Sequence, residues 1–228
     1  MSTVKRTRKK RIVTISNPDS IISEQFRSLQ TNIKFATGKK VMKSILITSP
    51  DKGAGKSTIA LNLAVSLAQQ KEKVLLIDAN LKNPSIHKFL NITNNEGLTN
   101  LLLNEQLEVE FFVRKPDLGD LYILTSGNTS SHSTELISFT NLEQLLDSVH
   151  KAYDVIIIDS PSVLEVADTK ILANYCDGIV LVYSKGQTKY DDALHARREL
   201  QFVEEKIVGV IMSDDKQSIF QKLRKDNK

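Results

Sequence analysis

The chain has 228 residues, of which 40% are hydrophobic and 25% are charged, a composition typical of one globular domain with its own core. Its apolar runs are shorter than the roughly 18 to 20 residues that a membrane-spanning helix needs, and its first residues show no signal-peptide segment. We therefore expect a cytoplasmic protein. A single cysteine, Cys176, excludes an internal disulfide bond and a CxxC metal or redox site.

Basic residues are concentrated at the two ends of the chain. Residues 1–11 hold six lysines and arginines and no acid, so the remainder has a net charge of about −2 although the whole chain carries +4. We predict a basic, disordered arm over residues 1–18, one domain over residues 19–213, and a basic flexible tail over residues 214–228. The arm suits peripheral association with an anionic membrane surface; the alternative is a solvated arm without a partner.

Short apolar runs alternate with helical patterns from residue 20 onward. A helix is predicted over residues 20–36, with Ser20 as its cap, because its apolar residues recur on one stripe. Further helices are predicted over residues 58–69 and 188–205. The predicted strands are SILITS (44–49), KVLLID (73–78), YDVIIID (153–159), GIVLVYS (178–184) and IVGVIM (207–212). Because these runs are apolar throughout, we expect strands covered on both faces, in a mostly parallel sheet of a three-layer α/β domain.

The sequence SPDKGAGKST, residues 49–58, lies between the first predicted strand and the helix that follows it. Gly53 and Gly55 allow the backbone to turn its N–H groups toward one anion, and a helix that begins near Lys56 directs its positive end to the same place. Lys56 is expected to reach the β- and γ-phosphates of a nucleotide, and Ser57 to bind Mg²⁺. The predicted cofactor-binding residues are Asp51, Lys52, Gly53, Ala54, Gly55, Lys56, Ser57 and Thr58.

Two of the predicted strands end in aspartate, Asp78 after VLLI and Asp159 after VIII. The carboxyl ends of parallel strands meet at the edge of the sheet where the glycine-rich loop also opens, so both carboxylates can approach a magnesium ion there. We therefore predict Lys56, Asp78 and Asp159 as catalytic residues, and Ser57, Asp78 and Asp159 as metal ligands. The predicted fold is a P-loop NTPase domain that binds a nucleotide together with Mg²⁺.

The loop belongs to an ordered set of motifs. They are SPDKGAGKST, VLLIDANLKNPSIHKF, GLTNLL (97–102), YILTSG (122–127), YDVIIIDSPS (153–162) and VADTKIL (166–172). Over residues 19–212 this set resembles the bacterial tyrosine kinases of capsule and exopolysaccharide synthesis, whose loop often reads S-P-x-x-G-x-G-K-S. The resemblance implies an ATP- and Mg²⁺-dependent protein-tyrosine kinase, with Asp78 in its second Walker motif and Asp159 in its third. It also implies a fold similar to that of the partitioning ATPases.

The second Walker motif departs from the family pattern D-x-D-x-R at two positions. Asn80 replaces the second aspartate, and Lys82 replaces the arginine. An amide cannot serve as a base near neutral pH, and a lysine keeps the positive charge without the bidentate fork of arginine. We expect nucleotide binding to survive both changes and the rate of phosphoryl transfer to fall.

The tyrosines are distributed differently from those of the family. Its members end in a cluster of tyrosines that neighbouring subunits phosphorylate, whereas DDKQSIFQKLRKDNK, the end of this chain, contains none. Because of this departure from the family pattern, we do not expect autophosphorylation of the tail, and one interpretation is that the acceptor is another protein. The alternative is that the chain acts chiefly as a nucleotide-gated scaffold of the polysaccharide machinery.

The resemblance also implies partners. A separate membrane protein would activate the chain through its cytoplasmic tail and so recruit it to the inner face of the cell membrane. Ring-shaped oligomers of the family use an E-x-x-R-x-x-R element, in which Glu24 and Arg27 match while Gln30 replaces the last arginine. As an alternative, Glu24 and Arg27 form only an exposed ion pair along one helix, worth a few tenths of a kcal/mol.

A partitioning-type ATPase that binds DNA through its basic arm is a further alternative. Such ATPases carry a signature lysine five residues before the loop lysine, where this chain has Asp51, with Lys52 displaced by one position. Aromatic residues are 6% of the chain and tryptophan is absent, so base stacking has little support. We therefore expect no nucleic-acid partner.

Overall fold

A seven-stranded sheet forms the centre of the computed structural model, which describes residues 12–36, 42–104, 106–128, 139–201 and 206–214. Its strands are β1 (Ser44–Thr48), β2 (Val74–Asp78), β3 (Val113–Arg114), β4 (Leu121–Leu124), β5 (Val155–Asp159), β6 (Gly178–Ser184) and β7 (Ile207–Ser213). They lie in the order β3-β4-β2-β5-β1-β6-β7. Only the β3–β4 pair is antiparallel, which confirms the predicted, mostly parallel sheet.

Helices cover both faces of this sheet. Those in the described residues are α1 (Val13–Ser16), α2 (Ile21–Ala36), α3 (Lys56–Gln69), α4 (Ile86–Leu90), α5 (Leu98–Leu103), α6 (Phe139–Ala152), α7 (Asp168–Tyr175) and α8 (Tyr190–Gln201). Buried residues of α2, α3 and α4 share one apolar cluster, and those of α5 to α8 share another. The chain therefore has the three layers that the sequence predicts.

The alternation of side chains along each strand explains why the strands are apolar throughout. In β1, Leu46 belongs to the cluster under α5 to α8, whereas Ile45 and Ile47 belong to the cluster under α2 to α4. Successive side chains of a strand point to opposite faces, so a strand covered on both faces needs apolar residues at every position. Helix α3 is buried over most of its length because it lies against the sheet and beneath α2.

The start of the domain differs from the prediction. The sequence assigns residues 12–18 to the basic arm, but the structure folds α1 there, with Ile12 only 2% exposed. The backbone N–H and hydroxyl of Thr14 both donate to Asn62 Oδ1 in α3 at 3.4 Å. This part of the prediction is therefore wrong, because apolar residues and the contact with Asn62 attach the segment to the core. Residues 1–11 and 215–228 lie outside the described residues.

The predicted helix over residues 20–36 is confirmed as α2, and Ser20 caps it by accepting the backbone N–H of Ser23 at 3.2 Å. All five predicted strands are present, whereas the sequence prediction omits β3 and β4. The described helices contain no segment that is long and apolar enough to cross a membrane. Cys176 follows α7 and is fully buried, and its pKa is raised to about 12 by burial and by the neighbouring Asp177 carboxylate.

Candidate nucleotide and metal site

The glycine-rich loop connects the carboxyl end of β1 to α3. Gly53 and Gly55 have φ angles of +78° and +90°, which side-chain-bearing residues rarely adopt. A Cβ built at Gly53 would meet no atom within 4 Å, so the space in front of the loop is open. Ala54, between them, is 2% exposed and packs in the core, which fixes the loop to the domain. The loop can therefore present its N–H groups to an anion, at the positive end of a 14-residue helix.

Lys56 is the first residue of α3, and its side chain lies across the loop. Its Nζ donates to the hydroxyls of Ser49 at 2.8 Å and Ser162 at 3.0 Å. Burial lowers the pKa of Lys56, while the carboxylates of Asp159, Glu165 and Asp51 act in the opposite sense. The loop thus holds a buried ammonium group on neutral hydroxyl partners, which a phosphate oxygen can replace as acceptors.

Asp78 and Asp159 lie next to each other at the ends of β2 and β5. They are direct partners in the register of the two parallel strands, and both are fully buried. The order β2-β5-β1 places both carboxylates beside the strand that leads into the loop. Two acidic groups at adjacent, buried positions are unfavourable when both are charged, unless a cation or a proton compensates them.

The chain holds the two carboxylates in different ways. Asp78 accepts hydrogen bonds from the backbone N–H groups of Ser85 and Ile86, both at 3.0 Å, and from that of Asn80 at 3.3 Å. These three bonds lower its pKa, but burial outweighs them and raises the pKa to about 6. Asp78 is therefore fixed in orientation by the turn that leads into α4.

Asp159 has no such support. Neither of its carboxylate oxygens has a hydrogen-bond partner of normal geometry among the described residues, although both are buried. Burial and the neighbouring Asp78 raise its pKa well above the ordinary value, and the nearby Ser57 and Lys56 oppose that shift. A buried carboxylate without partners is rare in folded proteins, and it usually marks a place where an ion, a water or a proton completes the site.

These groups fit a nucleotide with a bound magnesium ion. Mg²⁺ prefers carboxylate and hydroxyl oxygens together with phosphate oxygens, and the unpartnered Asp159, the fixed Asp78 and the half-buried Ser57 offer that donor set near Lys56. The open space at Gly53 offers room for the phosphates. We therefore treat Lys56, Ser57, Asp78 and Asp159 as one candidate site.

The remaining predicted loop residues lie around this centre. The backbone oxygen of Asp51 accepts a hydrogen bond from the Ser49 hydroxyl at 2.5 Å, while burial and then Asp192 raise the pKa of its side chain. Lys52 is exposed and forms an ion pair with Glu165 of the same chain. Thr58 is exposed in the first turn of α3. Within the described structure, the Lys52 side chain therefore interacts outside the loop, whereas the Asp51 carboxylate is close enough to Lys56 for each group to shift the pKa of the other.

Asn80 and Lys82 follow Asp78 in the turn before α4. The amide oxygen of Asn80 accepts the backbone N–H of Asn83 at 3.2 Å, so its side chain stabilises the turn. Lys82 is exposed and lies close enough to Asp168 to lower the pKa of that carboxyl group, which burial raises. Both side chains therefore have structural interactions in this chain.

Three residues of the site are not among those predicted from the sequence. Ser49 and Ser162 hold Lys56, and the hydroxyl of Ser213, the last residue of β7, donates to the backbone oxygen of Ala54 at 2.7 Å. Ser162 and Ser213 are more than a hundred residues from their partners in the chain, and serine carries no distinctive pattern. Only the order of the strands brings them to the loop.

The residues predicted at oligomer contacts are arranged as a local cluster. Arg27 Nε donates to Glu24 Oε2 at 2.7 Å, and both Nη atoms of Arg27 donate to the backbone oxygen of Pro18 at 3.2 Å. Gln30 is 2% exposed, and its side-chain oxygen accepts a hydrogen bond from Gln70, the residue that follows α3, at 2.7 Å. The third position of the E-x-x-R-x-x-R element therefore faces α3 in this chain, and Glu24 and Arg27 remain exposed.

Comparison with known proteins identifies the family. A family model described as an AAA domain matches residues 42–192. The tyrosine-protein kinase YwqD of Bacillus subtilis (strain 168) is 42% identical over 207 residues, which are 91% of this chain and 87% of that protein.

Solved structures agree with this sequence match. The crystal structure of the chimerical protein CapA2B2 has a TM-score of 0.84 at 34% identity, and the match covers 90% of this chain and 89% of that chain. The septum site-determining protein MinD from Pyrococcus horikoshii OT3, complexed with Mg-ADP, has a TM-score of 0.64 at 25% identity and covers 75% of this chain and 69% of that chain. The resemblance inferred from the ordered motifs is confirmed, and the chain belongs to the bacterial tyrosine-protein kinases.

Proposed function

We propose that the chain binds ATP with Mg²⁺ and transfers the γ-phosphoryl group to tyrosine hydroxyls of proteins, as a regulator of capsular polysaccharide or exopolysaccharide synthesis. One observation carries the proposal: Asp159, a buried carboxylate with no hydrogen-bond partner of normal geometry among the described residues, pairs in register with Asp78 beside a glycine-rich loop that holds a buried lysine. The tyrosine specificity is carried over from relatives such as the kinase YwqD, and the pathway from the family that the ordered motifs resemble.

In this proposal the loop binds the triphosphate. The N–H groups between Gly53 and Thr58 would donate to phosphate oxygens, and the amino end of α3 adds a favourable electrostatic potential. Lys56 would leave the hydroxyls of Ser49 and Ser162 and donate to the β- and γ-phosphates. Because these hydroxyls are neutral, that exchange costs the lysine no ion pair.

Ser57, Asp78 and Asp159 would hold the magnesium ion. When bound, the ion neutralises charge on the phosphate oxygens of the transferred group. Asp78 would keep the bonds from the N–H groups of Ser85 and Ile86, so its orientation is set by the protein before the ion binds. Asp159 would gain the partner that the described residues do not provide.

We expect this chain to provide no strong base for the acceptor oxygen. Phosphoryl transfer depends mainly on positioning and on electrostatic stabilisation, with a smaller contribution from a base that orients or deprotonates the acceptor. The family pattern places an aspartate where this chain has Asn80, whose amide accepts the N–H of Asn83. We therefore propose a functional but slow kinase.

The partners are carried over from the family. We propose that the cytoplasmic tail of a membrane activator binds the chain and stimulates transfer, and that the chain works at the inner face of the cell membrane. Subunits would form a ring with Glu24 and Arg27 at the contacts. The exposure of both side chains, 64% for Glu24 and 44% for Arg27, leaves them accessible to a neighbouring subunit.

A direct assay tests the central proposal. The purified chain is incubated with Mg²⁺, γ-labelled ATP and a synthetic copolymer of glutamate and tyrosine, with and without the activator tail. We expect labelled phosphotyrosine in the copolymer, and a higher rate when the tail is present. Calorimetry in the same buffer should show binding of Mg-ATP that EDTA weakens.

Two variants control this assay. Lys56→Met removes the ammonium group while keeping an unbranched side chain of similar length, so it should abolish transfer. Lys52→Met removes an exposed lysine of the same loop whose partner is Glu165, and it should keep most of the activity. Mg-ATP binding without any phosphotyrosine would instead favour the scaffold.

A further inference from the structure

The five tyrosines of the chain all lie within the described residues, and they differ greatly in exposure. Tyr190 is 76% exposed, whereas Tyr153 is 8% exposed. Tyr122, Tyr175 and Tyr183 are half-buried. A kinase acceptor must bring its phenol oxygen into the active site of an enzyme, so exposure alone separates Tyr190 from the other four.

The other tyrosines are held by their surroundings. Tyr122 accepts a hydrogen bond from Lys115 Nζ at 3.0 Å, and its ring packs edge-on against Tyr153 at a centroid distance of 5.4 Å. Burial raises the pKa of both Tyr153 and Tyr183. Phosphorylation of Tyr153 would require local unfolding, because a charged phosphate cannot be accommodated in the core. The half-buried rings of Tyr122, Tyr175 and Tyr183 pack against the same apolar cluster, which restricts their movement.

Tyr190 lies at the edge of the sheet where the loop opens. It is the first residue of α8, which follows β6, and β6 pairs with β1 in parallel. Its neighbours Lys189 and Asp192 are close enough to Asp51, in the loop, to change the pKa of that carboxyl group. The tyrosine is therefore displayed beside the nucleotide site on a defined helix end.

The helix end is rigidly supported although the ring is free. Ala196 and Leu200 anchor α8 in the core, and the turn before it is closed by hydrogen bonds from the backbone N–H groups of Gln187 and Thr188 to Ser184 O at 3.1 and 3.0 Å. Within the described part of the chain the Tyr190 hydroxyl has no hydrogen-bond partner. A phosphate at this position would lie in the first turn of a 12-residue helix, whose positive end favours negative charge while the neighbouring Asp191 and Asp192 oppose it.

We propose that Tyr190 is a phosphorylation site for the chain's own kinase activity, an inference that rests on the proposed function. In the reaction the Tyr190 phenol oxygen forms a bond to the γ-phosphorus of ATP as the bond from that phosphorus to the β,γ-bridging oxygen breaks. ADP leaves, and the phenol proton passes to solvent. No oxidant or further reactant is needed. The chain would thus supply an acceptor of its own at the start of α8.

Mass spectrometry of the full chain tests this site. The wild-type protein is incubated with Mg-ATP and the glutamate–tyrosine copolymer, and the tryptic peptide of residues 190–197 is then analysed. We expect phosphate on Tyr190. Tyr190→Phe, which removes only the hydroxyl, should lose phosphate incorporation into the chain while phosphorylating the copolymer at the wild-type rate. Tyr122→Phe, the matched control on a half-buried ring, should retain both reactions.

The outcomes separate this inference from the proposed function. If the copolymer is phosphorylated but Tyr190 stays unmodified, or if Tyr190→Phe leaves incorporation into the chain unchanged, the inference is wrong and the kinase remains. If wild type and Lys56→Met alike phosphorylate neither substrate, both are wrong.

Discussion

Asp78 and Asp159 are chemically identical residues in register, yet they differ in the hydrogen bonds that their carboxylates accept. Three backbone N–H groups satisfy Asp78, and no group of normal hydrogen-bonding geometry satisfies Asp159 among the described residues. A fixed carboxylate next to an unsatisfied one is a useful arrangement for binding a cation. The fixed carboxylate sets the position of the ion, and the unsatisfied one contributes most of the favourable free energy of binding. The same arrangement costs stability when no cation is bound.

Replacing Asp159 with asparagine should therefore stabilise the nucleotide-free protein at neutral pH. The pKa of Asp159 in the folded protein is raised above the ordinary 3.8. The protonated side chain therefore contributes fully to the free energy of unfolding below pH 3.8, and this contribution is lost as the pH rises through the pKa of the folded state. The amide does not titrate, so the advantage of Asp159→Asn should be small in acid and grow with pH, to ~1 kcal/mol or more. Thermal unfolding between acid and neutral pH measures it.

With Mg-ATP bound, we expect the wild-type protein to be more stable than Asp159→Asn. Wild type should gain thermal stability with added Mg-ATP, whereas Asp159→Asn should gain little, because it lacks the charge that holds the ion. EDTA should remove most of the wild-type gain. Equal stabilisation of the two proteins by Mg-ATP would contradict the role proposed for Asp159.

Asn80 is the residue that we expect to limit the rate. Asn80→Asp would restore a carboxylate in the turn, and an aspartate can still accept the N–H of Asn83. Since a positioned base contributes typically ~10²-fold or more, the variant should raise the turnover for copolymer phosphorylation while changing the affinity for Mg-ATP little. Steady-state kinetics with labelled ATP measures both quantities.

Asn83→Asp is the matched control for this variant. It adds the same charge to an exposed position three residues away, so a general electrostatic effect would appear in both proteins. If Asn80→Asp gives no increase, the chain has no dormant base position and the scaffold alternative gains support.

At the scale of elements, the glycine-rich loop can be tested separately from the helix that follows it. Gly53 and Gly186 have nearly equal φ angles, +78° and +75°, and a Cβ would meet no atom within 4 Å at either position. Gly53→Ala and Gly186→Ala should therefore cost similar stability, about 1–2 kcal/mol for the left-handed backbone. Only Gly53→Ala places a methyl group where the phosphates are proposed to lie.

We expect calorimetry to show weaker Mg-ATP binding for Gly53→Ala and nearly unchanged binding for Gly186→Ala. Chemical unfolding of the two variants provides the stability comparison. If both variants lost affinity for Mg-ATP to the same extent, backbone strain, and not the space in front of the loop, would govern binding.

The sequence predicts the central elements well and the short ones poorly. Strands such as β1 and β5 are continuous apolar runs, a pattern that burial on both faces imposes. β3 has only two residues, and β4 has four, so neither offers enough length for a periodic signal. Likewise α1 is missed because four residues after a basic run carry no helical period.

The same contrast holds for the site. The loop and the two aspartates are predictable because glycine, lysine and strand-terminal acids have special chemistry at fixed spacing. Ser162 and Ser213 are not predictable, since their role comes from contacts across the sheet. The unequal support of Asp78 and Asp159 also needs the structure, because it depends on the direction of the turn before α4.

For the whole molecule, the distribution of charge gives the last prediction. Residues 1–11 carry six basic residues and no acid, at roughly 1 kcal/mol each near an anionic membrane surface. We expect the full chain to co-sediment with phosphatidylserine vesicles at low salt, and raised ionic strength to release it. Removing residues 1–11 should abolish this binding and preserve Mg-ATP binding, because the described fold begins at Ile12.

Removal of residues 215–228 is the matched control, since that segment also contains several basic residues. It should reduce vesicle binding less than removal of the arm. Neutral phosphatidylcholine vesicles should bind neither form. If the protein without residues 1–11 binds anionic vesicles as well as the full chain, the arm is not the membrane contact.

The burial of Cys176 has a practical consequence for such experiments. With its pKa raised to about 12, the thiol is almost entirely protonated near neutral pH, and no side is open to a reagent. Maleimide fluorophores or spin labels should therefore attach only to cysteines that are introduced deliberately. The native sequence can serve directly as the background for single-label spectroscopy of the helix end that carries Tyr190, without an initial round of thiol removal.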